Sequence, residues 1–301
     1  MGERKGEVVA DKAVRFNLLF AMSEKMKNLA VRALSGAVLA VVTVGAILLS
    51  KWTYGALLLA ILAGGMYETY RLAACNGARP QYGMGLAAGV ALFAVNFFAG
   101  TGLLETTDLP RLLTLYFLVM LPAVFICELF RRLERPETNV GATLLGVGYV
   151  ALPLSLMCYI PAVGGVWQPW TMIAFVFIIW ANDVCAYLIG MTLGRHPLCE
   201  RLSPKKTREG FLGGLAGAVG TGLAAARFLD ADPWHWAGLA LVAAVAGVLG
   251  DLVESMFKRA AGVKDSGNLI PGHGGVFDRI DGLIFAAPIV YCYFTLVSLS
   301  N

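Results

Sequence analysis

The residues best suited to chemistry lie between positions 250 and 282, in GDLVESMFKRAAGVKDSGNLIPGHGGVFDRIDG. Asp251, Glu254, Ser255 and Lys258 are spaced i, i+3, i+4 and i+7, which places them on one face of a helix. The positions that follow add acidic, basic, glycine and histidine residues, namely Lys264, Asp265, His273, Gly274, Gly275, Asp278, Arg279 and Asp281. Mg²⁺ prefers oxygen ligands and shares its shell with substrate phosphates, while Lys and Arg neutralise the remaining phosphate charge. The segment predicts a metal–phosphate site.

A second polar group interrupts the apolar segment FVFIIWANDVCAYLIG, in which Asn182 and Asp183 are the polar residues. An ionised carboxylate there is costly unless it faces water, a cation or a partner. Asp183, Ala186, Tyr187 and Gly190 share one helical face. Two interpretations stay open: a site that faces water or metal, which we favour, and an ion pair with a basic residue of a neighbouring helix.

The next loop, RLSPKKTREGFLGG, carries several cations before a glycine-rich helix. We interpret Ser203-Pro204 as a turn or a helix start. Lys205, Lys206 and Arg208 can meet phosphates, and anions bind readily at helix N-termini. The alternative is that these cations only set the topology, because cytoplasmic loops of membrane proteins are commonly basic.

These groups must be positioned by membrane-spanning helices. The 301 residues are 58% hydrophobic and 15% charged, with a mean hydropathy of +0.70, whereas soluble domains carry roughly 25% charged residues. Long apolar runs in lipid form helices. The predicted fold class is therefore all-α, a polytopic transmembrane helical protein with about nine spans. They are placed at 32–50, 54–74, 83–104, 110–130, 140–161, 169–193, 210–229, 234–257 and 281–300.

The basic residues predict the orientation. Of the 24 Lys and Arg residues, 21 fall on the side of the N-terminus and only Lys51, Arg111 and Arg227 on the other. The positive-inside rule then places the N-terminus in the cytoplasm and the C-terminus on the opposite side. We divide the chain into an N-terminal cytoplasmic or interfacial segment (1–31), spans one to five (32–165) and a catalytic region of spans six to nine (166–301). Within the first segment, residues 14–28 suit either an interfacial helix or a disordered tail.

Three further patterns concern helix contacts. Five glycines near small-xxx-small spacing predict close helix packing, and they are Gly210, Gly213, Gly214, Gly217 and Gly220. Glu68 and Arg71 are interpreted as forming interfacial or interhelical pairs. Glu128 is interpreted in the same way.

At the 250–282 segment the chain resembles the phosphatidate cytidylyltransferase (CDP-diacylglycerol synthase) family. The family's pattern of a Ser, a Lys-Arg pair, a Lys-Asp, a Pro-x-His-Gly-Gly and an Asp-Arg-x-Asp is matched throughout. The matching residues are Ser255, Lys258-Arg259, Lys264-Asp265, Pro271-Gly272-His273-Gly274-Gly275 and Asp278-Arg279-Ile280-Asp281. The segments NDVCAYLIG and SPKKTREGFLGG also resemble the family, so that the similarity covers roughly residues 180–282.

The resemblance implies the reaction CTP + phosphatidate → CDP-diacylglycerol + pyrophosphate, in phospholipid biosynthesis. It further implies Mg²⁺ as cofactor in a pair of metal ions, a homodimer, membrane lipid but no nucleic acid as a partner, and a bacterial cytoplasmic (inner) membrane with the active site facing the cytoplasm. By motif position the metal ligands fall on Asp251 and Asp278, and Asp183, Asp265 and Asp281 are further acidic candidates.

From these patterns we assign roles to individual residues. The catalytic centre is expected to contain Asp251, Lys258, Arg259, His273, Asp278 and Asp281. Substrate-binding residues are expected to be Asn182, Tyr187, Ser203, Lys205, Lys206, Arg208, Glu209, Ser255, Lys264, Gly274, Gly275 and Arg279. A phosphate monoester is largely a dianion near neutral pH, because its second pKa is about 6. We therefore expect no general base, and we expect His273 either to donate to a phosphate oxygen or to bond its own backbone.

Two other functions would give a similar pattern. A CTP-dependent lipid kinase, or a cytidylyltransferase for another lipid phosphate, shares the headgroup chemistry. A metal or phosphate transporter also places carboxylates and basic residues in helices, but it should show inverted repeats with broken helices near the midplane. The polar residues of this sequence gather instead near one end of the chain, which favours the enzyme.

Overall fold

The computed structural model describes residues 31–105, 107–270 and 274–300, with side chains up to residue 297. The expectation for residues 14–28 lies outside this part of the chain. The helices are α1 (Val31–Leu49), α2 (Lys51–Cys75), α3 (Tyr82–Gly100), α4 (Leu109–Arg131), α5 (Pro136–Gly146), α6 (Leu152–Leu156), α7 (Pro169–Leu193), α8 (Arg208–Phe228), α9 (Pro233–Ala260) and α10 (Asp281–Ser300). A π-helical turn (Val147–Ala151) joins α5 to α6, and a 3₁₀ helix (Met157–Ala162) follows.

The helices confirm the predicted all-α class, and each predicted span coincides with a helical segment to within a few residues. Seven segments are long and apolar enough to cross a membrane, among the described residues. α2 and α10 are not among these seven, and only residues Asp281–Val297 of α10 are described in full. The count of nine crossings and the sidedness of the termini therefore remain predictions.

Capping residues fix where several helices begin. The Ser50 hydroxyl accepts a hydrogen bond from Thr53 N at the start of α2, and the Thr207 hydroxyl accepts one from Gly210 N at the start of α8. The Asp232 carboxylate accepts a hydrogen bond from His235 N at the start of α9. Such caps satisfy backbone N–H groups that have no partner within the helix. They set the helix ends, and with them the register of the side chains that face the site.

α7 and α8 pack closely through glycine, as the sequence predicted. A Cβ on Gly214 would lie 2.6 Å from Asn182 Oδ1 and 2.9 Å from Asn182 O. Similar conflicts arise at Gly210 and Gly213, and at Gly217 against Cys185. Gly220 differs, because a Cβ there would meet nothing within 4 Å. Four of the five glycines are therefore at the helix contact.

A short antiparallel hairpin joins α7 to α8, which the sequence did not indicate. β1 (Pro197–Cys199) pairs with β2 (Ser203–Thr207), with an irregular register between the two paired positions. The interpretation of Ser203-Pro204 as a turn or helix start is wrong, since both residues lie in β2. Proline fits here because a two-stranded ribbon has no central strand that would need its missing N–H. The hairpin places Lys206 against Asp251 of α9.

The two halves of the chain pack together around one apolar core. α8 packs extensively against both α7 and α9, and α9 packs against α10. α10 also packs on α6, and α2 contacts the segment 277–279. In the N-terminal half, Glu128 is bound by Gln81, Asn139 and Arg131 across three helical elements. The interpretation of Glu128 as part of an interhelical pair is confirmed. The three-part division of the chain remains a prediction.

Candidate active site

The predicted polar stripe exists on the last two turns of α9, and we call it the α9 stripe (Asp251, Glu254, Ser255 and Lys258). Ser255 Oγ lies 3.4 Å from Asp251 Oδ1, and Lys258 Nζ donates to Glu254 Oε2 at 2.6 Å. Glu254 and Ser255 are buried, whereas Asp251 and Lys258 are partly buried. The i, i+3, i+4 spacing thus delivers the face that the sequence predicted.

Three carboxylates come close enough together to hold a cation. Asp251, Glu254 and Asp281 each offer an oxygen atom, and these atoms lie within 4.8 Å of one another. Asp281 is the first residue of α10, where its Oδ1 accepts from Gly282 N. Glu254 Oε1 is buried and accepts no hydrogen bond from the described residues. A buried carboxylate oxygen without a donor fits a cation ligand, because an unpaired charge is costly at such depth.

Asp278 lies beside this cluster with both oxygens engaged. Its Oδ1 accepts from Lys258 at 2.7 Å, and its Oδ2 accepts from Ser266 N at 3.0 Å and Gly275 N at 2.9 Å. Burial alone would raise the pKa of this carboxyl, but the Lys258 ammonium and the N–H donors outweigh it and lower the pKa to about 2. Asp278 is therefore ionised at physiological pH and forms an ion pair with Lys258.

The hairpin brings a second lysine to the cluster. Lys206, on β2, donates to Asp251 Oδ2. Lys205 precedes it and is exposed, as expected where successive strand residues face opposite sides. The ammonium groups of Lys206 and Lys258 thus flank the carboxylates from two directions. This arrangement can accept a phosphate-bearing ligand, which would draw the lysines toward its own oxygens.

Two cavities meet at Asp183. The α8 cavity, of about 360 Å³, lies between α7, α8 and α9 and is lined by Asp183, Tyr187, Lys205, Lys206 and Asp251 among others. It confirms that Asp183, Ala186, Tyr187 and Gly190 share one face.

The second cavity, which we call the α1 cavity, measures about 530 Å³ and lies between α1, α2, α7 and the start of α10. Asp183, Asp278, Arg279 and Asp281 line its polar part, and most of its remaining lining is aliphatic or aromatic. A charged centre with one wall of cations and one apolar wall can accommodate an amphipathic ligand.

Several predicted site residues are exposed or have partners outside the cluster. Lys264, Asp265, Arg208 and Arg259 are exposed, and Arg259 donates to Val263 O at 3.3 Å. Ser203 is paired in the hairpin. His273 and its neighbours Pro271 and Gly272 lie outside the described residues, so the prediction for His273 stands as it was.

Glu209 has a different set of contacts from the one expected of a substrate ligand. Its carboxylate accepts from His196 Nδ1 at 2.6 Å and from the N–H groups of Arg195 and His196 at 3.1 and 3.2 Å. These bonds fix the chain before β1 to the first turn of α8. In this structure Glu209 supports the hairpin.

Three residues of the site were not assigned to it from the sequence. Glu254 was placed on the stripe but not among the ligands, and Ser266 was not singled out. Glu68 was interpreted as forming an interfacial or interhelical pair with Arg71, but its carboxylate accepts from Ser266, Val276 and Phe277. The available signal was the acidic residue itself, since a carboxylate in an apolar helix requires a partner.

Most of this chain matches one known protein family. The model of the Cytidylyltransferase family matches residues 30–297. The chain belongs to the cytidylyltransferase family. The family predicted from the 250–282 segment is thereby confirmed, and the match extends well beyond that segment to the N-terminal helices.

Three relatives of this chain are all named phosphatidate cytidylyltransferase. The phosphatidate cytidylyltransferase of Brucella suis is 39% identical over 204 residues, which cover 67% of this chain and 73% of that protein. The phosphatidate cytidylyltransferase of a Synechocystis species is 32% identical over 280 residues, covering 83% of this chain and 91% of that protein. That of Staphylococcus aureus reaches 47% identity over 115 residues, covering 38% of this chain and 44% of that protein.

Proposed function

We propose that this protein transfers the cytidylyl group of CTP to phosphatidate, giving CDP-diacylglycerol and pyrophosphate for phospholipid biosynthesis. The observation that carries the proposal is the acidic cluster (Asp251, Glu254 and Asp281), of which Asp251 lines the α8 cavity and Asp281 lines the α1 cavity. A nucleoside triphosphate and a lipid phosphate both need cations to neutralise their charge, but only the lipid needs an apolar surface for its acyl chains. The relatives named phosphatidate cytidylyltransferase support the same reaction.

The reaction is a phosphoryl-type displacement. A phosphate oxygen of phosphatidate forms a bond to the α-phosphorus of CTP, and the bond from that phosphorus to the β-phosphate oxygen breaks, so that pyrophosphate leaves. The attacking phosphate needs no general base, because its second pKa of about 6 leaves it largely dianionic near neutral pH. The protein's task is then to orient two anions and to neutralise their charge.

The acidic cluster is proposed to hold Mg²⁺ through Asp251, Glu254 and Asp281, with Asp278 next to them. Bound Mg²⁺ would neutralise charge on the transferred and leaving phosphates. The unpartnered Glu254 Oε1 supports this assignment, since it gives the cluster an oxygen that no described donor occupies. The family-based assignment of Asp278 and Asp183 as ligands, and of a second metal ion, is kept as part of the proposal.

The two cavities suggest how the substrates are divided. Lys205 and Lys206 would face the triphosphate in the α8 cavity, and Lys206 would exchange Asp251 for a phosphate oxygen. Arg279 and Lys258 would face the lipid phosphate at the polar end of the α1 cavity, while the acyl chains remain against its apolar lining. We further propose that this face is cytoplasmic, that the membrane is a bacterial inner membrane and that the protein acts as a homodimer.

The position of a radioactive label separates this function from its rivals. Purified protein in detergent is given phosphatidate, Mg²⁺ and CTP labelled at either the α- or the γ-phosphate. Cytidylyl transfer places the α-label in the lipid and the γ-label in pyrophosphate. A CTP-dependent kinase would place the γ-label in the lipid and release CDP. If neither label moves and CTP is unchanged, the enzymatic proposal fails and a transporter must be considered.

Substitutions in the cluster test the proposed metal ligands. We expect Asp251→Asn, Glu254→Gln and Asp278→Asn each to lower turnover by at least about 100-fold, because each removes charge that faces the phosphates or their metal. Asp108→Asn is the matched control, since Asp108 is a half-exposed aspartate that pairs with Arg111. Turnover is measured on variants that insert into the membrane and elute as wild type. Undiminished activity of Glu254→Gln would remove Glu254 from the ligand set.

A further inference from the structure

The buried carboxylate of Glu68, on α2, contacts a segment about 200 residues further along the chain. The residue is 1% exposed. Glu68 Oε1 accepts from Val276 N at 3.1 Å, and Oε2 accepts from Phe277 N at 2.8 Å. Ser266 Oγ lies 2.9 Å from Oε2. One side chain of the N-terminal half thus binds the chain on both sides of the undescribed residues 271–273.

The same segment also binds Asp278. Ser266 Oγ lies 3.0 Å from Asp278 Oδ2, and the N–H groups of Ser266 and Gly275 donate to the same oxygen at 3.0 and 2.9 Å. A hydroxyl has one proton, so Ser266 donates to one carboxylate at a time. Ser266 and residues 275–277 are therefore held by the carboxylates of Glu68 and Asp278.

Glycines keep the segment close to α2. A Cβ on Gly275 would lie 2.7 Å from Glu68 Cδ, and a Cβ on Gly267 would lie 2.8 Å from the same atom. On the α2 side, a Cβ on Gly64 would lie 3.1 Å from Val276 Cγ2. Larger side chains at these positions would push the segment off α2. The close fit indicates that the position of the segment relative to Glu68 is specified on both sides of the contact.

We propose that Glu68 is a positioning residue for the active site. By fixing Ser266, Val276 and Phe277, it holds Asp278 next to Lys258 and the acidic cluster. The inference rests on the proposed function, in which that cluster binds a divalent cation and two phosphates. Residues that orient metal ligands through hydrogen bonds typically change metal affinity or activity about 10- to 100-fold when replaced. A carboxylate that only filled space would not have that effect.

The test compares Glu68→Gln with Glu128→Gln. Glu128, like Glu68, is a buried carboxylate. Its partners are the side chains of Gln81, Asn139 and Arg131, all in the N-terminal half. Both variants lose one acceptor oxygen, so both are expected to unfold at lower temperature than wild type. Mn²⁺ binding to the purified proteins, followed by electron paramagnetic resonance, and the Mg²⁺ concentration for half-maximal turnover are then measured.

We expect Glu68→Gln to weaken Mn²⁺ binding and to raise the Mg²⁺ midpoint by about 10-fold or more, while Glu128→Gln leaves both unchanged. Ser266→Ala, which removes the hydroxyl between the two carboxylates, should shift both quantities in the same direction and serves if Glu68→Gln does not fold. If Glu68→Gln and Ser266→Ala both bind Mn²⁺ as wild type does, the positioning role is overturned. Loss of Mn²⁺ affinity in Glu68→Gln, combined with no cytidylyl transfer by wild type, would instead reject the proposed function and keep the positioning role.

Discussion

At the scale of single residues, Lys258 has an unusual position, because one ammonium group faces two carboxylates. It donates to Glu254 at 2.6 Å and to Asp278 at 2.7 Å, and its side chain is only 12% exposed. Breaking a buried ion pair by removing one partner is strongly destabilising, since it leaves a buried charge without compensation. Lys258 therefore stabilises the site in the absence of substrate, in addition to its proposed role in binding phosphate.

This arrangement predicts the behaviour of Lys258→Met. We expect it to lose activity and to destabilise the protein by about 3–5 kcal/mol, because Glu254 and Asp278 both lose their cation. Adding Glu254→Gln should restore part of the stability but no activity. Thermal unfolding in detergent and turnover are the measurements, with Arg227→Met, an exposed cation at the far end of α8, as the matched control. Equal stability of Lys258→Met and the control would show that the pairing contributes little.

At the scale of elements, the contact between α7 and α8 depends on the absence of side chains. Gly214 faces Asn182, while Gly220 lies on the same helix and faces open space. The glycines of α8 are therefore not equally important for its contact with α7. The contact matters for the site, because α7 carries Asp183 and α8 follows directly from the strand that carries Lys206.

A pair of alanine substitutions separates packing from helix propensity. Gly214→Ala should lower the unfolding temperature, because its Cβ would come within 2.6 Å of Asn182 Oδ1. Gly220→Ala should be neutral or stabilising, since alanine favours a helix over glycine by about 1 kcal/mol. Both are compared with wild type by thermal unfolding in the same detergent. A stabilised Gly214→Ala would mean that α7 and α8 can separate at no cost.

The elements also show which local features can be predicted from sequence. Long apolar runs located the helices to within a few residues, since lipid allows few other backbones, and the stripe on α9 followed from helical periodicity alone. The hairpin at 197–207 was missed because its strands are short, contain proline and lack alternating apolar residues. Its partner interactions, such as Lys206 with Asp251, depend on tertiary packing that no local pattern encodes.

At the scale of the whole molecule, the connections between helices fall into two groups. Arg131 donates to the carbonyl of Arg79, so the α2–α3 and α4–α5 connections lie together. At the opposite end of α2, Lys51 donates to the carbonyl of Thr101, which follows α3. The positive-inside rule assigns the first group to the cytoplasm. That assignment has a direct test.

Single cysteines placed in a chain without its six native cysteines report the sidedness. We expect Arg201→Cys, at the hairpin tip, to react with a membrane-impermeant maleimide only from the cytoplasmic side. Thr107→Cys, between α3 and α4, should react only from the opposite side. Inverted vesicles and intact spheroplasts give the two exposures. Labelling of both positions from the same side would contradict the predicted topology.

The site as a whole was only partly predictable from the sequence, because some of its residues are far apart along the chain. Asp251, Lys258, Asp278 and Asp281 lie within one contiguous segment and were recognised as a group. Glu68 belongs to the same site but is separated from Ser266 by 198 residues. A search for local patterns cannot connect residues so far apart. An acidic residue in an apolar helix was the only indication, and the nearby Arg71 offered a local partner for it.

The separation of Glu68 from its donors has a consequence for biosynthesis. Ribosomes add about 5–20 residues per second, so the 198 residues between Glu68 and Ser266 take about 10–40 s to make. During that time α2 has already been synthesised, and its carboxylate has neither Ser266 nor the backbone donors of Val276 and Phe277. Glu68 therefore needs other hydrogen-bond donors, such as water, while the later helices insert. Its burial is a late event, completed only when the final loop folds back onto a helix made near the beginning of synthesis.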